Sequence, residues 1–158
     1  MPVQVFHREL SSRFEEVSAL AEQLSGWFMA GGVPQPVASA AVLMVDELLT
    51  NTVMHGYAGR ADGWIEVEAE VNAAGLRVVL RDHAPAFDPT RSPVPDTTES
   101  LEARPIGGLG LLFVRRMADR FTYQRAKDAR GRPCNEVRLA KAFAPTVRPG
   151  RPPEPAAG

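Results

Sequence analysis

Two carboxylates, an amide and an imidazole interrupt the apolar run DELLTNTVMHGY at residues 46–57. If the run is helical, Glu47 and Asn51 point within roughly 40° of each other, with Met54 and His55 one turn further along that face. The apolar side would be formed by Leu43, Met44, Leu48 and Val53. A carboxylate can take a proton and an amide oxygen can bind a hard cation. Because an isolated E-x-x-x-N is usually a solvated helix face, the pattern needs support from elsewhere.

Two further stretches supply that support. DHAPAFDP, residues 82–89, ends a predicted strand, where the Asp82 carboxylate can accept a hydrogen bond from a ligand. IGGLGL, residues 106–111, opens a predicted helix whose free N–H groups can hold phosphate. Alone, the first is typical of a turn and the second of a helix cap. A P-loop is excluded because no G-K-[ST] follows, and the dinucleotide fingerprint is missing, yet the three stretches together favour a phosphate-binding site.

The elements that position these stretches follow from periodicity. VQVFHREL predicts a strand, and apolar steps of three and four predict a helix from about residue 13 to 30, capped by Ser11 or Ser12. A second helix is predicted from about 36 to 57, then the hairpin WIEVEAEV-NAAG-LRVVLRDH, a third helix LLFVRRMADR, and strands FTYQRA and NEVRLAKA. This order predicts an α+β two-layer sandwich, with helices on one face of a mostly antiparallel mixed sheet.

Composition sets the broad class. The 158 residues suit one domain, expected over residues 1–142 and followed by a proline-rich flexible tail at 143–158. The formal net charge of -1 gives no reason to expect binding to nucleic acid or an anionic membrane. Cys134 is the one cysteine, and no signal peptide or long apolar span is recognised, so a cytoplasmic protein is expected.

ELLTN, DHAPAFDP and GGLGL, separated by a variable loop, resemble the N, G1 and G2 boxes of the GHKL (Bergerat-fold) ATPases. The resemblance covers about residues 10 to 142 and is closest to the stand-alone anti-sigma factor serine/threonine kinases of bacteria. It implies ATP and Mg²⁺ as cofactors, with Glu47 as catalytic base, Asn51 as the Mg²⁺ ligand and Asp82 as acceptor from the adenine amino group. The other implied nucleotide contacts are Ala84, Phe87, Gly107, Gly108, Leu109, Gly110 and Leu111.

Further expectations concern the surroundings of the phosphates. Residues from about 90 to 105 would form an ATP lid, mobile without nucleotide. Arg104 is a candidate γ-phosphate contact or a solvated lid arginine, since guanidinium suits phosphate oxygens. His55 either faces the phosphates or only packs at the helix end.

Two positions depart from the family pattern. Ala84 stands where the family usually has glycine, and its methyl group would crowd the adenine or prevent a positive φ, which predicts reduced nucleotide affinity. Cys134-Asn135 stands where the family often has Gly-Thr, so Asn135 would replace a hydrogen bond to Asp82 or to a nearby water. Cys134 is expected to be a packed residue.

The resemblance implies a kinase that binds a sigma factor or related regulator and phosphorylates a STAS-domain anti-sigma factor antagonist, acting as a homodimer through the first helix or the N-terminal strand. Two alternatives remain open from the sequence: a non-catalytic regulatory module gated by ATP, and a histidine-kinase-like catalytic fragment. The missing dimerisation helix and phosphoacceptor histidine argue against the second alternative. Retention of Glu47 favours the kinase over the first.

Overall fold

A computed structural model describes residues 2–91 and 108–144 of the chain. Its elements are β1 (Gln4–Ser11), α1 (Phe14–Ala30), α2 (Gln35–Asn51), a π-helical turn (Thr52–Gly56), β2 (Trp64–Val71), β3 (Gly75–Asp82), a 3-10 turn (Pro89–Arg91), α3 (Gly108–Met117), β4 (Arg120–Lys127) and β5 (Pro133–Ala142). This succession confirms the predicted order of helices and strands. From residue 92 onward the expected lid lies outside the described residues, as does the expected tail from residue 145.

The five strands form one sheet in the order β1-β2-β3-β5-β4. All four pairings are antiparallel, so the α+β class is confirmed, while the mixed sheet expected from the sequence is antiparallel throughout the described strands. Because β5 inserts between β3 and β4, Asp82 at the end of β3 stands opposite Asn135 on β5. The sheet order therefore brings two distant stretches of the sequence together.

The helices cover one face of the sheet. Along β2, buried and partly buried residues alternate, as expected for a strand with one face on the core. From α1 the core receives Val17, Leu20, Leu24 and Phe28. From α2 and the π turn it receives Met44, Leu48 and Val53, but not Leu43, which is 46% exposed. Leu43 is four residues before Glu47 and so shares the face of Glu47 instead of the core face.

The opposite face of the sheet is charged and internally paired. Arg81 lies at its centre, with Nη1 2.7 Å from Glu66 and Nε 2.8 Å from Glu136. Arg138 contacts the second oxygen of Glu136 at 2.9 Å. This network lets charged residues occupy a sheet face that none of the described helices covers.

Helix ends differ from the sequence expectations at two places. Neither Ser11 nor Ser12 caps α1, which begins at Phe14 without a side-chain cap hydrogen bond. The Ser11 hydroxyl bonds to Glu16 in the first turn of α1, and the Ser12 hydroxyl bonds to the distant Arg60 carbonyl, so neither hydroxyl caps the helix backbone. α3 begins at Gly108, three residues before its expected start.

No long apolar span was expected from the sequence, but among the described residues one helix, Gln35–Gly56 with 22 residues, is long and apolar enough to cross a membrane by length and composition. Half of its most apolar window is buried inside the fold. Its apolar residues pack in the core, as in the central helix of a globular domain.

Candidate functional site

The candidate site begins where α2 changes its hydrogen-bonding period. The Tyr57 N–H donates to the Thr52 carbonyl at 2.8 Å, a five-residue step that defines the π turn. Such turns occur frequently at functional sites. The sequence predicted a continuous helix to Tyr57, so the π turn is a correction. It leaves Met54 and His55 exposed, so His55 is not packed into the core.

Glu47 faces the start of α3. A Cβ atom added at Gly110 would overlap the Glu47 carboxylate, lying 2.9 Å from its Cδ and closer still to one oxygen. Only a glycine therefore allows α3 to approach this carboxylate without displacing it. The contact joins two of the three sequence stretches, and it gives Gly110 a role that the sequence did not predict. Asn51 lies one turn beyond Glu47, about 6 Å along the same helix.

Asp82 forms the other half of the site. Its Oδ1 accepts hydrogen bonds from Asn135 Nδ2 at 2.8 Å and from the Ala84 N–H at 3.0 Å. Its Oδ2 lies 3.5 Å from the Thr52 hydroxyl, which also contacts the Leu48 carbonyl at 3.1 Å. Burial raises the pKa of Asp82, although these hydrogen bonds and the charge of Arg125 oppose the shift. Oδ2 is thus the less satisfied oxygen of a partly buried carboxylate.

Ala84 packs against the π turn. A Cβ on Gly56 would lie 3.0 Å from the Ala84 Cβ, so the glycine makes room for the methyl group. Ala84 is buried, and the only described non-glycine residue with positive φ is Ala58. Ala84 therefore does not adopt a positive φ, as expected for an alanine at this position, and the reduced nucleotide affinity stays a prediction.

Asn135 was expected to bond either to Asp82 or to a nearby water, and the structure confirms the hydrogen bond to Asp82. Its Nδ2 also reaches the carbonyls of Ala84 and Pro85, at 3.0 and 3.1 Å. Cys134 beside it is fully buried, as expected for a packed residue. Burial raises the pKa of the Cys134 thiol, so little of it is thiolate at neutral pH.

Three aromatic residues support the site and were missed. The Tyr57 hydroxyl donates to the Trp64 carbonyl at 2.5 Å and accepts from the His83 N–H at 2.8 Å. Burial raises the pKa of Tyr57 to about 12, so this hydroxyl stays protonated. The His83 ring stacks on Trp64 at 4.3 Å and bonds to Asp128 at 2.7 Å. These partners are distant in sequence, and no local pattern signals them.

The remaining expected nucleotide contacts fall into four groups. Phe87 is 48% exposed beside Asn135, so its ring is accessible. The Leu111 side chain belongs to the hydrophobic core, which leaves only its backbone for a ligand. Gly108 and Leu109 form the first turn of α3, whereas Arg104 and Gly107 lie outside the described residues.

These residues fit a nucleotide and a hard cation. The glycine at position 110 lets the start of α3 lie close to the Glu47 carboxylate, and the less satisfied Oδ2 of Asp82 can accept a hydrogen bond from the amino group of a base. Asn51 offers a neutral oxygen on the same helix as Glu47, a donor type that Mg²⁺ accepts. The donor set therefore suits ATP with Mg²⁺ and requires no residue that the chain lacks.

Comparison with known proteins defines the class. A family model described as a histidine kinase-like ATPase domain matches residues 10–141. The match spans most of the chain, and the fold and boxes agree with it. The protein belongs to the GHKL, or Bergerat-fold, family of ATPases.

Similarity to individual proteins indicates a group within the GHKL family. The chain is 33% identical over 116 residues to a serine-protein kinase RsbW of Listeria monocytogenes, covering 70% of this chain and 73% of the relative. It is 30% identical over 113 residues to a serine-protein kinase RsbW of Staphylococcus aureus, covering 68% and 71%. Within the GHKL family, the chain is thus similar to proteins named as serine-protein kinases.

Proposed function

We propose that the protein is an ATP- and Mg²⁺-dependent serine/threonine kinase of the anti-sigma factor type. It binds a sigma factor or related regulator and phosphorylates a STAS-domain antagonist on Ser or Thr. It acts in the cytoplasm as a homodimer, and residues 1–142 form its ATP-binding kinase domain. The names of its relatives support a protein kinase over a histidine-kinase-like fragment.

One observation is the main support for a kinase: the Glu47 carboxylate lies against Gly110 at the start of α3. A helix start is where phosphate groups bind, so the carboxylate is held beside the expected position of the transferred group. A module that only bound ATP would not need a carboxylate here, because negative charge beside phosphates weakens binding.

Each expected site residue then has a role. Asp82 accepts from the adenine amino group, and Phe87 and Ala84 border the base. Mg²⁺ on the Asn51 side-chain oxygen would neutralise phosphate charge when bound. The remaining phosphate contacts are proposed for His55, Arg104, Gly107, Gly108, Leu109, Gly110 and the backbone of Leu111.

The reaction balances with Glu47 as base. The hydroxyl oxygen of the antagonist bonds to the γ-phosphorus, and the bond from that phosphorus to the β–γ bridging oxygen breaks, so ADP leaves with the bond electrons. The hydroxyl proton passes to the Glu47 carboxylate. Glu47 therefore supplies orientation and a proton acceptor, and the donors of α3 hold the phosphates.

The test is single-turnover transfer of labelled phosphate from ATP to the antagonist by Glu47→Gln. The amide keeps the shape of Glu47 but cannot take a proton, so transfer should fall on the order of 10²- to 10⁴-fold with ATP affinity retained. Asp46→Asn is the matched control, because Asp46 points about 100° away on α2 and should leave transfer unchanged.

Undiminished transfer by Glu47→Gln would refute Glu47 as the base. If the wild type binds ATP and its partners but transfers no phosphate, the protein is an ATP-gated binding module instead. Sedimentation of the isolated protein as a monomer at micromolar concentration would contradict the proposed homodimer.

A further inference from the structure

The two oxygens of Asp82 have unequal surroundings. Oδ1 holds two hydrogen bonds of 2.8 and 3.0 Å, from Asn135 and from the Ala84 N–H. Oδ2 has only the 3.5 Å approach of Thr52, whose single hydroxyl proton can instead go to the Leu48 carbonyl at 3.1 Å. A ligand that donates a hydrogen bond would therefore find Oδ2, and not Oδ1, available as an acceptor.

Asn135 creates much of this inequality. The residue is 5% exposed. Its side chain forms hydrogen bonds to the end of β3, to the loop after β3 and to β4. Nδ2 donates to Asp82 and to the carbonyls of Ala84 and Pro85, at 2.8 to 3.1 Å. The amide thus fixes the carboxylate and the loop that carries Ala84 relative to each other.

The orientation of the Asn135 amide is also determined. Its Oδ1 accepts from Arg125 Nη1 at 3.0 Å, the Tyr123 hydroxyl at 2.7 Å and the Phe87 N–H at 3.4 Å. A guanidinium and a backbone N–H can only donate, so an oxygen must face them. The NH₂ group must therefore face Asp82, where it opposes the rise that burial causes in the pKa of Asp82.

We propose that Asn135 is a positioning residue for nucleotide selection, which occupies Oδ1 of Asp82 and so presents Oδ2 as the acceptor for an exocyclic amino group on a purine. The inference rests on the proposed nucleotide site but not on phosphate transfer. It predicts that the protein distinguishes ATP from a purine nucleotide that lacks the amino group, and that this discrimination depends on Asn135.

The experiment measures the affinities for ATP and for purine riboside triphosphate, which has hydrogen in place of the amino group. A hydrogen bond to a charged acceptor corresponds to roughly a ten- to hundredfold preference, so the wild type should prefer ATP by about that factor. Asn135→Leu has similar volume and no hydrogen bonds, and the preference should fall below about threefold. General loosening of the site would weaken both nucleotides together and leave their ratio unchanged.

A second variant covers the case in which Asn135→Leu does not fold. Asn135→Asp keeps the side-chain shape but places an oxygen toward Asp82, so a proton shared between the carboxylates should remove the preference. The control is Gln124→Leu, which loses one 2.7 Å amide hydrogen bond to Glu136 on the other sheet face and should keep the wild-type ratio.

The inference would be overturned if the Asn135 variants that fold keep the wild-type ratio of affinities for the two nucleotides. It would also be overturned if the wild type binds both nucleotides equally. Loss of the preference in those variants, with retention in Gln124→Leu, supports it. A protein that transfers no phosphate but shows this pattern would contradict the proposed kinase and still support the role of Asn135.

Discussion

Two carboxylates on neighbouring strands, the buried Glu136 and the partly buried Asp82, have opposite environments. Glu136 on β5 contacts Gln124, Arg138 and Arg81 at 2.7 to 2.9 Å, and both of its oxygens are paired. Among the described residues, no basic side chain lies within 4 Å of Asp82 at the end of β3. Burial opposes ionisation of both groups, but the pKa of Glu136 ends lowered and that of Asp82 ends raised.

The difference separates structural charge from charge kept for a ligand. A saturated carboxylate such as Glu136 stabilises the fold only and has nothing left to offer a ligand. An under-satisfied one such as Asp82 costs stability in the free protein and recovers the cost when a donor binds. Substitutions at the charged sheet face should therefore change stability. Substitutions where the C-terminal end of α2 lies beside the end of β3 should instead change nucleotide binding or phosphate transfer.

The largest stability effect should come from Glu136→Gln. The amide removes the charge between Arg81 and Arg138, so the free energy of unfolding should fall by about 2 to 3 kcal/mol, below the cost for a fully enclosed pair because Arg81 keeps Glu66 and Glu68. Denaturant unfolding measures the loss. ATP affinity should remain at the wild-type value, and a tenfold loss of affinity would break the comparison.

The contributions of Glu136 and Asp82 to stability should depend on pH in opposite directions. The lowered pKa of Glu136 means that its contribution is complete above its unfolded-state pKa and is lost as the pH falls through the folded-state value. The raised pKa of Asp82 means that stability falls as the pH rises from its unfolded-state pKa through the folded-state value. Denaturant unfolding across the acidic range should show a weaker loss on acidification in Glu136→Gln than in wild type. An identical profile would contradict the assignment.

Gly110→Ala should cost transfer without costing stability. The added Cβ overlaps the end of the flexible Glu47 side chain, which can rotate away, so the fold survives while the carboxylate is displaced. Single-turnover transfer should fall about 100-fold, within the range for loss of a general base. Gly26→Ala is the control, since a Cβ there meets nothing within 4 Å and should stabilise α1 by about 0.5 to 1 kcal/mol. Full transfer by Gly110→Ala would show that this approach is not needed for chemistry.

The smallest effect should come from the Gly56 and Ala84 pair. Gly56→Ala brings two methyl groups to 3.0 Å and should destabilise the protein by about 1 kcal/mol. Adding Ala84→Gly should restore most of that loss, a coupling that a double-mutant cycle of unfolding free energies measures. Additive single effects would mean that the π turn and the loop after β3 do not pack as described.

Much of the fold followed from the sequence, because alternation in β2 and β3 and three- and four-residue steps in α1 reflect one-sided burial. The three stretches at residues 46–57, 82–89 and 106–111 could be identified because each lies at the end or start of a helix or strand and combines polar residues or glycines in a recognisable pattern. The π turn was missed because a single change of period over residues 52–56 leaves too few residues to alter the apolar pattern.

Contacts between distant residues could not be predicted from local patterns. The approach of Gly110 to Glu47 and the packing of Gly56 on Ala84 depend on how α3 and β3 dock on α2. Ser12 satisfied the local rule for a helix cap, but its hydroxyl bonds to the distant Arg60 carbonyl instead. Composition and spacing specify which residues could react, and the sheet order decides which of them meet.

We propose that the incomplete hydrogen bonding of Asp82 leaves its Oδ2 available to bind the base of ATP. Calorimetric titration of ATP with Mg²⁺ into wild type and Asp82→Asn tests it most directly, with unfolding midpoints measured on the same samples. The loss of a charged hydrogen-bond acceptor should weaken the affinity for ATP by roughly 10- to 100-fold. The unfolding midpoint of the free protein should not fall, because the substitution removes a charge that partial burial disfavours. Wild-type ATP affinity in Asp82→Asn would contradict the account.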